Sequence, residues 1–189
     1  MTEGKASRNR GSRAPRPLDR VSLEELALAY VARFATSAAK LERYLVRKLR
    51  ERGWEGDGEA DPGGIVRRLA ELGYVDDAAY ARSKGGSLLR RGYGPRRIRQ
   101  ALAEAGIDEE IRAATRASEG QERRAALAMA RKRGFGPFGK ARPDRPLREK
   151  QLAAMLRAGH SLDSAREMVD APSVDAAEAW AVACEDEDD

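Results

Sequence analysis

Gly73-Tyr74-Val75-Asp76-Asp77 and, one helix length further on, Arg91-Gly92-Tyr93-Gly94-Pro95-Arg96-Arg97-Ile98-Arg99-Gln100-Ala101-Leu102 decide the fold. They read as two helices separated by a turn, with no catalytic chemistry in between. Asp76 is a ready N-cap for a helix that runs to Arg91. Gly92 and Gly94 permit a sharp reversal, and Pro95 suits the first position of the next helix.

Working outward, the turn recurs. Gly92-Tyr93-Gly94-Pro95 is echoed by Gly134-Phe135-Gly136-Pro137, 42 residues later, and each follows a basic helix end, Arg90-Arg91 or Arg131-Lys132-Arg133. A second marker recurs every 53 residues: Gly53, Gly106 and Gly159 each close a helix with apolar residues in its preceding turns. The two periods differ, so the third unit carries an insertion between its turn and its middle helix, in the 138–146 stretch. The first unit has its own insertion over 55–64. What remains common is a helix, a middle helix ending in Gly and a short third helix, three times over.

The spacing predicts helices over 23–35, 38–52 and 62–72, then 77–91, 95–105 and 109–117, then 120–133, 146–158 and 162–169. Ser22-Leu23-Glu24-Glu25 reads as a capping box, Asp61-Pro62 as a helix start, and Asp108 and Ser161 as caps. A further helix fits 174–184. Few alternating or β-branched runs compete, so the expected fold is all-α: an elongated, curved array of three tandem three-helix repeats over 21–75, 76–118 and 119–170. A disordered basic tail is expected over 1–20, and an acidic, partly helical tail over 171–189. Gly85-Gly86 conflicts locally with its helix, because each glycine costs about 1 kcal/mol against alanine. Close helix packing or a hinge would account for the pair.

Composition agrees with a repeat array. Of the 189 residues, 35% are charged and only 5% aromatic, too few large apolar side chains for one deep core. Units of this size are marginal alone and gain stability by stacking. Charge is segregated along the chain. Residues 1–20 carry six bases against two acids and residues 170–189 carry eight acids and no base, which leaves +9 on the body of a chain whose net charge is +5. A basic body suggests an anionic partner, either nucleic acid or an acidic protein surface. There is no apolar leader segment and no apolar run of membrane-spanning length, and a lone Cys184 forms no internal disulfide. The expectation is a cytoplasmic protein with no membrane association.

Catalysis has little material to draw on. The chain has one histidine, His160, and one cysteine, with no Walker-type phosphate loop, no HExxH and no cysteine pair for zinc. His160 follows a helix stop and reads as a packing residue. Asp76-Asp77 reads as a cap and Glu185 to Asp189 as a solvated run. No catalytic, cofactor-binding or metal residue is expected, and the chain does not read as an enzyme.

Gly73-Tyr74-Val75-Asp76-Asp77-x-x-Tyr80, followed by Arg90-Arg91-Gly92-Tyr93-Gly94-Pro95-Arg96-Arg97-Ile98-Arg99-Gln100-x-Leu102 and Gly106-Ile107, resembles the central repeat of the RecX family, regulators of the bacterial RecA recombinase. Ser37-x-x-x-Leu41 resembles the family's first repeat, with Lys40 where an acid is usual, and Ala158-Gly159-His160 stands where the third repeat normally closes on an aromatic. The resemblance covers about residues 22–170. It implies tandem three-helix repeats. It also implies binding to the RecA filament on single-stranded DNA, with inhibition of filament extension, ATPase, strand exchange and co-protease activity, and so a place in recombinational repair and the SOS response.

The residues expected to contact the filament or its DNA are Arg90, Arg91, Tyr93, Arg96, Arg97, Arg99, Arg131, Lys132 and Arg133. Tyr93 and Phe135 can equally pack beneath the turns. The expected partners are the RecA nucleoprotein filament and single-stranded DNA, engaged by a monomer. A different reading makes the helices over 77–91 and 95–105 a helix-turn-helix in a transcriptional regulator. The second helix offers arginines and one glutamine but no set of side chains suited to reading base edges, so its specificity would be low.

Overall fold

A computed structural model of the chain describes residues 16–183. Within them the chain is helical: α1 (Arg20–Val31), α2 (Ala38–Arg52), α3 (Pro62–Glu71), α4 (Asp77–Arg90), α5 (Pro95–Glu104), α6 (Glu109–Ala114), α7 (Glu119–Arg133), a 3-10 turn (Gly136–Phe138), α8 (Arg145–Arg157), α9 (Leu162–Val169) and α10 (Val174–Val182). The only β-type pairing among the described residues is an isolated bridge between Leu18 and Trp54.

Local signals set most of the boundaries. The Asp76 side chain accepts from Ala79 N at 2.8 Å, and the Asp61 side chain caps α3, whose first residue is Pro62. Pro95 opens α5. Ser161 and Ser173 cap α9 and α10 through their hydroxyls. Each such cap stabilises a helix by about 1 kcal/mol. Two helices end earlier than expected, α1 at Val31 and α6 at Ala114, and two cap expectations change. α1 starts at Arg20, because Asp19 and not Ser22 is its N-cap. Ser22 N donates to the Asp19 carboxylate at 2.8 Å while Asp19 N donates to Ser22 Oγ at 3.0 Å, a reciprocal box one turn earlier than expected. Asp108 does sit at the cap of α6, but its side chain makes no capping bond.

Three apolar clusters lie in succession. The first gathers Leu18, Leu23, Ala27, Leu41, Leu45, Val66, Leu69 and Val75 from α1–α3 and their flanks. The second holds Tyr80, Ala81, Leu102, Ala105 and Ile107 from α4, α5 and the turn after it, with Ile111 of α6 packed against them. The third holds Ala126, Met129, Ala130, Met155, Ala165, Met168, Val169 and Ala177 from α7–α10. Leu41 and Leu45 are fully buried, and each contributes about 1.5–3 kcal/mol through removal from water.

Both expected tails are partly built into this structure. Leu18 is fully buried, and its backbone pairs with α2's end: Leu18 N donates to Gly53 O at 3.0 Å and Glu55 N to Leu18 O at 2.9 Å. The folded body therefore begins before residue 20, and residues 1–15 of the expected basic tail lie outside the described residues. At the other end α10 packs on α7, with Ala177 and Ala181 fully buried. The helix expected near 174–184 is thus part of the third core, and residues 184–189 lie outside the described residues.

Two joints connect the clusters, and they share one geometry. At the first, Ser37, the N-cap of α2, donates its hydroxyl to the carbonyl of Ala105, the C-cap of α5, at 2.6 Å. At the second, Gly94, the N-cap of α5, donates its N–H to the carbonyl of Ala158, the C-cap of α8, at 2.9 Å. Each middle helix begins on the end of the next one. The close approach explains the glycines. A Cβ on Gly106 would lie 2.3 Å from Ala39 Cβ, and one on Gly94 would lie 2.4 Å from the Gly159 carbonyl carbon.

Candidate partner-binding face

The expected contact residues sit on a clamped turn. α4 closes on Gly92, whose φ of 82° suits glycine. Gly92 N donates to Leu89 O at 2.8 Å and Tyr93 N to Leu88 O at 3.1 Å, which satisfies carbonyls at the helix end. The turn is closely packed on both sides. A Cβ on Gly92 would lie 3.0 Å from Met129 N on α7, and Gly94 is pressed against Gly159. Arg96 N donates to Gly159 O at 3.1 Å, and His160 Nε2 reaches Gly92 O at 3.0 Å. A carbonyl can only accept, so His160 carries its proton on Nε2. Burial holds its pKa below the ordinary histidine value, against the smaller opposing effect of the Gly92 carbonyl. The histidine is thus a buried joint residue.

From this rigid base Arg90, Arg91, Arg96, Arg97 and Arg99 project into solvent. The Arg90 and Arg96 side chains make no hydrogen bond or ion pair with any described residue. Arg91 lies over the half-buried Tyr93 ring at 5.4 Å, so Tyr93 supports an arginine. Arg97 donates to Gln100 Oε1 at 3.0 Å.

The contact between Gly92 and Met129 sets the end of α4 beside the last turns of α7, where Arg131, Lys132 and Arg133 are exposed. The structure thereby brings the two basic runs close. Arg131 differs from its neighbours because it pairs with Glu178 of α10 and lies 5.9 Å from the Phe138 ring. Phe135 packs on the third core.

Arg99 also lines a cavity of about 520 Å³ between α4, α5, α6 and the start of α7, with Arg82, Arg112, Arg116 and Glu122 at its walls. Gly85 and Gly86 line it too. A Cβ on Gly85 would meet only Ile98 Cγ2, at an ordinary 3.7 Å, and one on Gly86 only the tip of Arg90, at 3.3 Å. Close packing therefore does not require these glycines, and α4 runs through them unbroken. Their effect is to leave the cavity open. Burial pushes the Glu122 carboxyl up, opposed by Arg116 at 3.6 Å.

A second basic surface escaped the sequence reading. α2 carries Lys40, Arg43, Arg47, Lys48, Arg50 and Arg52 against Glu42 and Glu51. Arg43, Arg47 and Arg50 are exposed at spacings of four and three, which is one helix face. Among the described residues no group of three or more His, Cys, Asp or Glu could hold a metal, and no helix is long and apolar enough to cross a membrane.

Comparison with known proteins follows the same lines. The family model described as RecX, second three-helix domain, matches residues 76–115. The regulatory protein RecX of Myxococcus xanthus is 33% identical over 172 residues, covering 86% of this chain and 92% of the relative. That of Thermus thermophilus is 40% identical over 85 residues, covering 45% of this chain and 56% of the relative. The crystal structure of RecX from Lactobacillus salivarius superposes with a TM-score of 0.64 at 20% identity, covering 82% of this chain and 96% of that one, and so matches the all-helical fold.

Proposed function

The chain belongs to the RecX family and shares its regulatory role, and from that premise we propose that it is a non-enzymatic modulator of RecA. It binds the RecA filament on single-stranded DNA and inhibits its extension, ATPase, strand exchange and co-protease activities, acting as a cytoplasmic monomer in recombinational repair and the SOS response. The observation that carries this reading is the clamped turn. Arg90, Arg91, Arg96, Arg97 and Arg99 project from a backbone fixed on both sides, by Met129 and by Gly159, and so form a preorganised cationic surface. Tyr93, Arg131, Lys132 and Arg133 extend it. Repeating joints suit a polymer, whose successive protomers offer the same anionic groove to successive units.

Reversing charge at Arg96, Arg97 and Arg99 together tests the assignment. The folded triple variant should lose inhibition of RecA ATPase; wild-type potency would remove this face from the contact.

The helix-turn-helix alternative is disfavoured by the second joint. A recognition helix reads bases with its leading end, and the leading end of α5 is occupied: Gly94 N is bonded to Ala158 O and Arg96 N to Gly159 O. A RecA-independent, sequence-specific footprint would restore it.

A further inference from the structure

We propose that the first helical unit carries a stacking platform for the bases of single-stranded nucleic acid, centred on Phe34, Tyr30 and Tyr44. Aromatic residues make up only 5% of this chain, yet three of them form one ladder where α1 ends and α2 passes. The Phe34 and Tyr30 ring centroids are 5.2 Å apart, and Tyr30 and Tyr44 are 4.3 Å apart with planes tilted by 30°. Beyond Tyr44 the ladder continues as cations, with the Arg47 guanidinium at 5.6 Å and the Lys48 ammonium at 5.9 Å from its ring.

Packing explains only the inner two rings. Tyr30 and Tyr44 are half-buried against the first core. Phe34 stands outside that core and is 56% exposed. The aliphatic interior beneath, Leu23, Ala27, Leu41 and Leu45, is fully buried. Phe34 has no polar side-chain atom to place in water, and its backbone is held at the end of α1 by its N–H donating to Tyr30 O at 3.0 Å. Its ring is the open end of the ladder on a basic surface.

Charge selects the occupant. Arg33, next to Phe34 in sequence, is exposed and unpaired among the described residues, Arg47 is exposed beside the Tyr44 ring, and Arg47 and Lys48 share one carboxylate, Glu51, at 3.5 and 2.6 Å. An open π-face flanked by surplus cations matches an unstacked base joined to phosphates. A duplex keeps its bases stacked and offers no face to Phe34. The inference needs only the strand, and it stands apart from the recombinase reading.

The test measures fluorescence anisotropy of the full chain with a fluorescein-labelled oligothymidylate and with an abasic strand of equal length and charge. Phe34→Ala, a change at an exposed site, should weaken oligothymidylate binding about 5- to 150-fold, the range for one lost base stack, and leave abasic binding unchanged. Phe34→Trp should retain affinity and show fluorescence quenching on addition of oligothymidylate beyond that of the wild type. Equal affinity of Phe34→Ala and wild type for oligothymidylate would overturn the proposal. So would equal weakening on the abasic strand, or a defect confined to binding RecA protein without DNA, which would give the ladder to a protein partner.

Discussion

Ser37 Oγ donates to the Ala105 carbonyl at 2.6 Å across 68 residues of sequence, and the same hydroxyl accepts from Lys40 N at 3.3 Å to cap α2. One buried side chain therefore starts a helix and fastens the first unit to the second. Ser37→Ala should lose the cap and leave a buried carbonyl without that partner, costing about 2 kcal/mol in total. Urea unfolding followed by circular dichroism would register this as a lower midpoint; an unchanged midpoint would show that the joint does not depend on the hydroxyl.

The second joint depends on missing side chains. Gly94→Ala places a methyl 2.4 Å from both the Gly159 carbonyl carbon and His160 N, where only backbone can yield. Hydrogen exchange should quicken in peptides covering 92–97 and 156–161 while far-UV helicity persists. Gly86→Ala should act in the opposite sense. Its new methyl meets only the movable Arg90 tip, so the helix should gain about 1 kcal/mol, visible as a raised melting temperature.

What was legible in the sequence was what is local. Asp76, Asp61-Pro62 and Pro95 mark helix starts by chemistry confined to a few residues, and Gly92 and Gly134 mark helix ends by their backbone freedom. Ser22-x-x-Glu25 misled because Asp19-x-x-Ser22, one turn earlier, offers an equally good box and is the one that forms. Leu18 is a lone apolar residue in a Pro- and Arg-rich stretch, and only its bridge to Trp54 reveals its role. Likewise the Phe34, Tyr30 and Tyr44 ladder joins two helices, and neither helix announces it alone. The basic turn stood out because its arginines flank the glycines that punctuate it; in the equally basic α2 only the closing Gly53 is such a marker, and the cations lie along the helix before it.

His160 makes the second joint sensitive to pH. Its folded pKa lies below 6.5 because burial disfavours the charged ring, so the unfolded chain takes up a proton first as pH falls. The stabilisation is complete above 6.5 and is lost as pH drops through that value towards the folded pKa. Glu122 works in the opposite direction at pH above 4.5, since its folded pKa is raised by burial. Comparing wild type with His160→Gln at pH 7.5 and 5.5 isolates the histidine, the only one in the chain. Wild type should lose more stability than the variant; parallel losses would clear His160 of the effect.

The acidic segment should restrain the basic face. Glu178 already holds Arg131, and residues 185–189 add five carboxylates. Because α10 completes the third core, truncation must begin after Ala183 to leave the fold intact. Removing 184–189, or replacing Glu178 with Gln, should tighten binding to single-stranded DNA or to RecA filaments at low salt, with the difference fading as salt screens it. Unchanged or weaker affinity at low salt would dismiss the competitor role.

Co-sedimentation of the full chain with RecA filaments on single-stranded DNA asks most directly whether a repeating helical body lies along a polymer. The proposed mode of binding predicts saturable pelleting at fewer than one molecule per RecA protomer, since its units share successive protomers, and loss of pelleting on charge reversal at Arg96, Arg97 and Arg99. Failure to pellet with the filament, or saturation at one molecule per protomer, would contradict it.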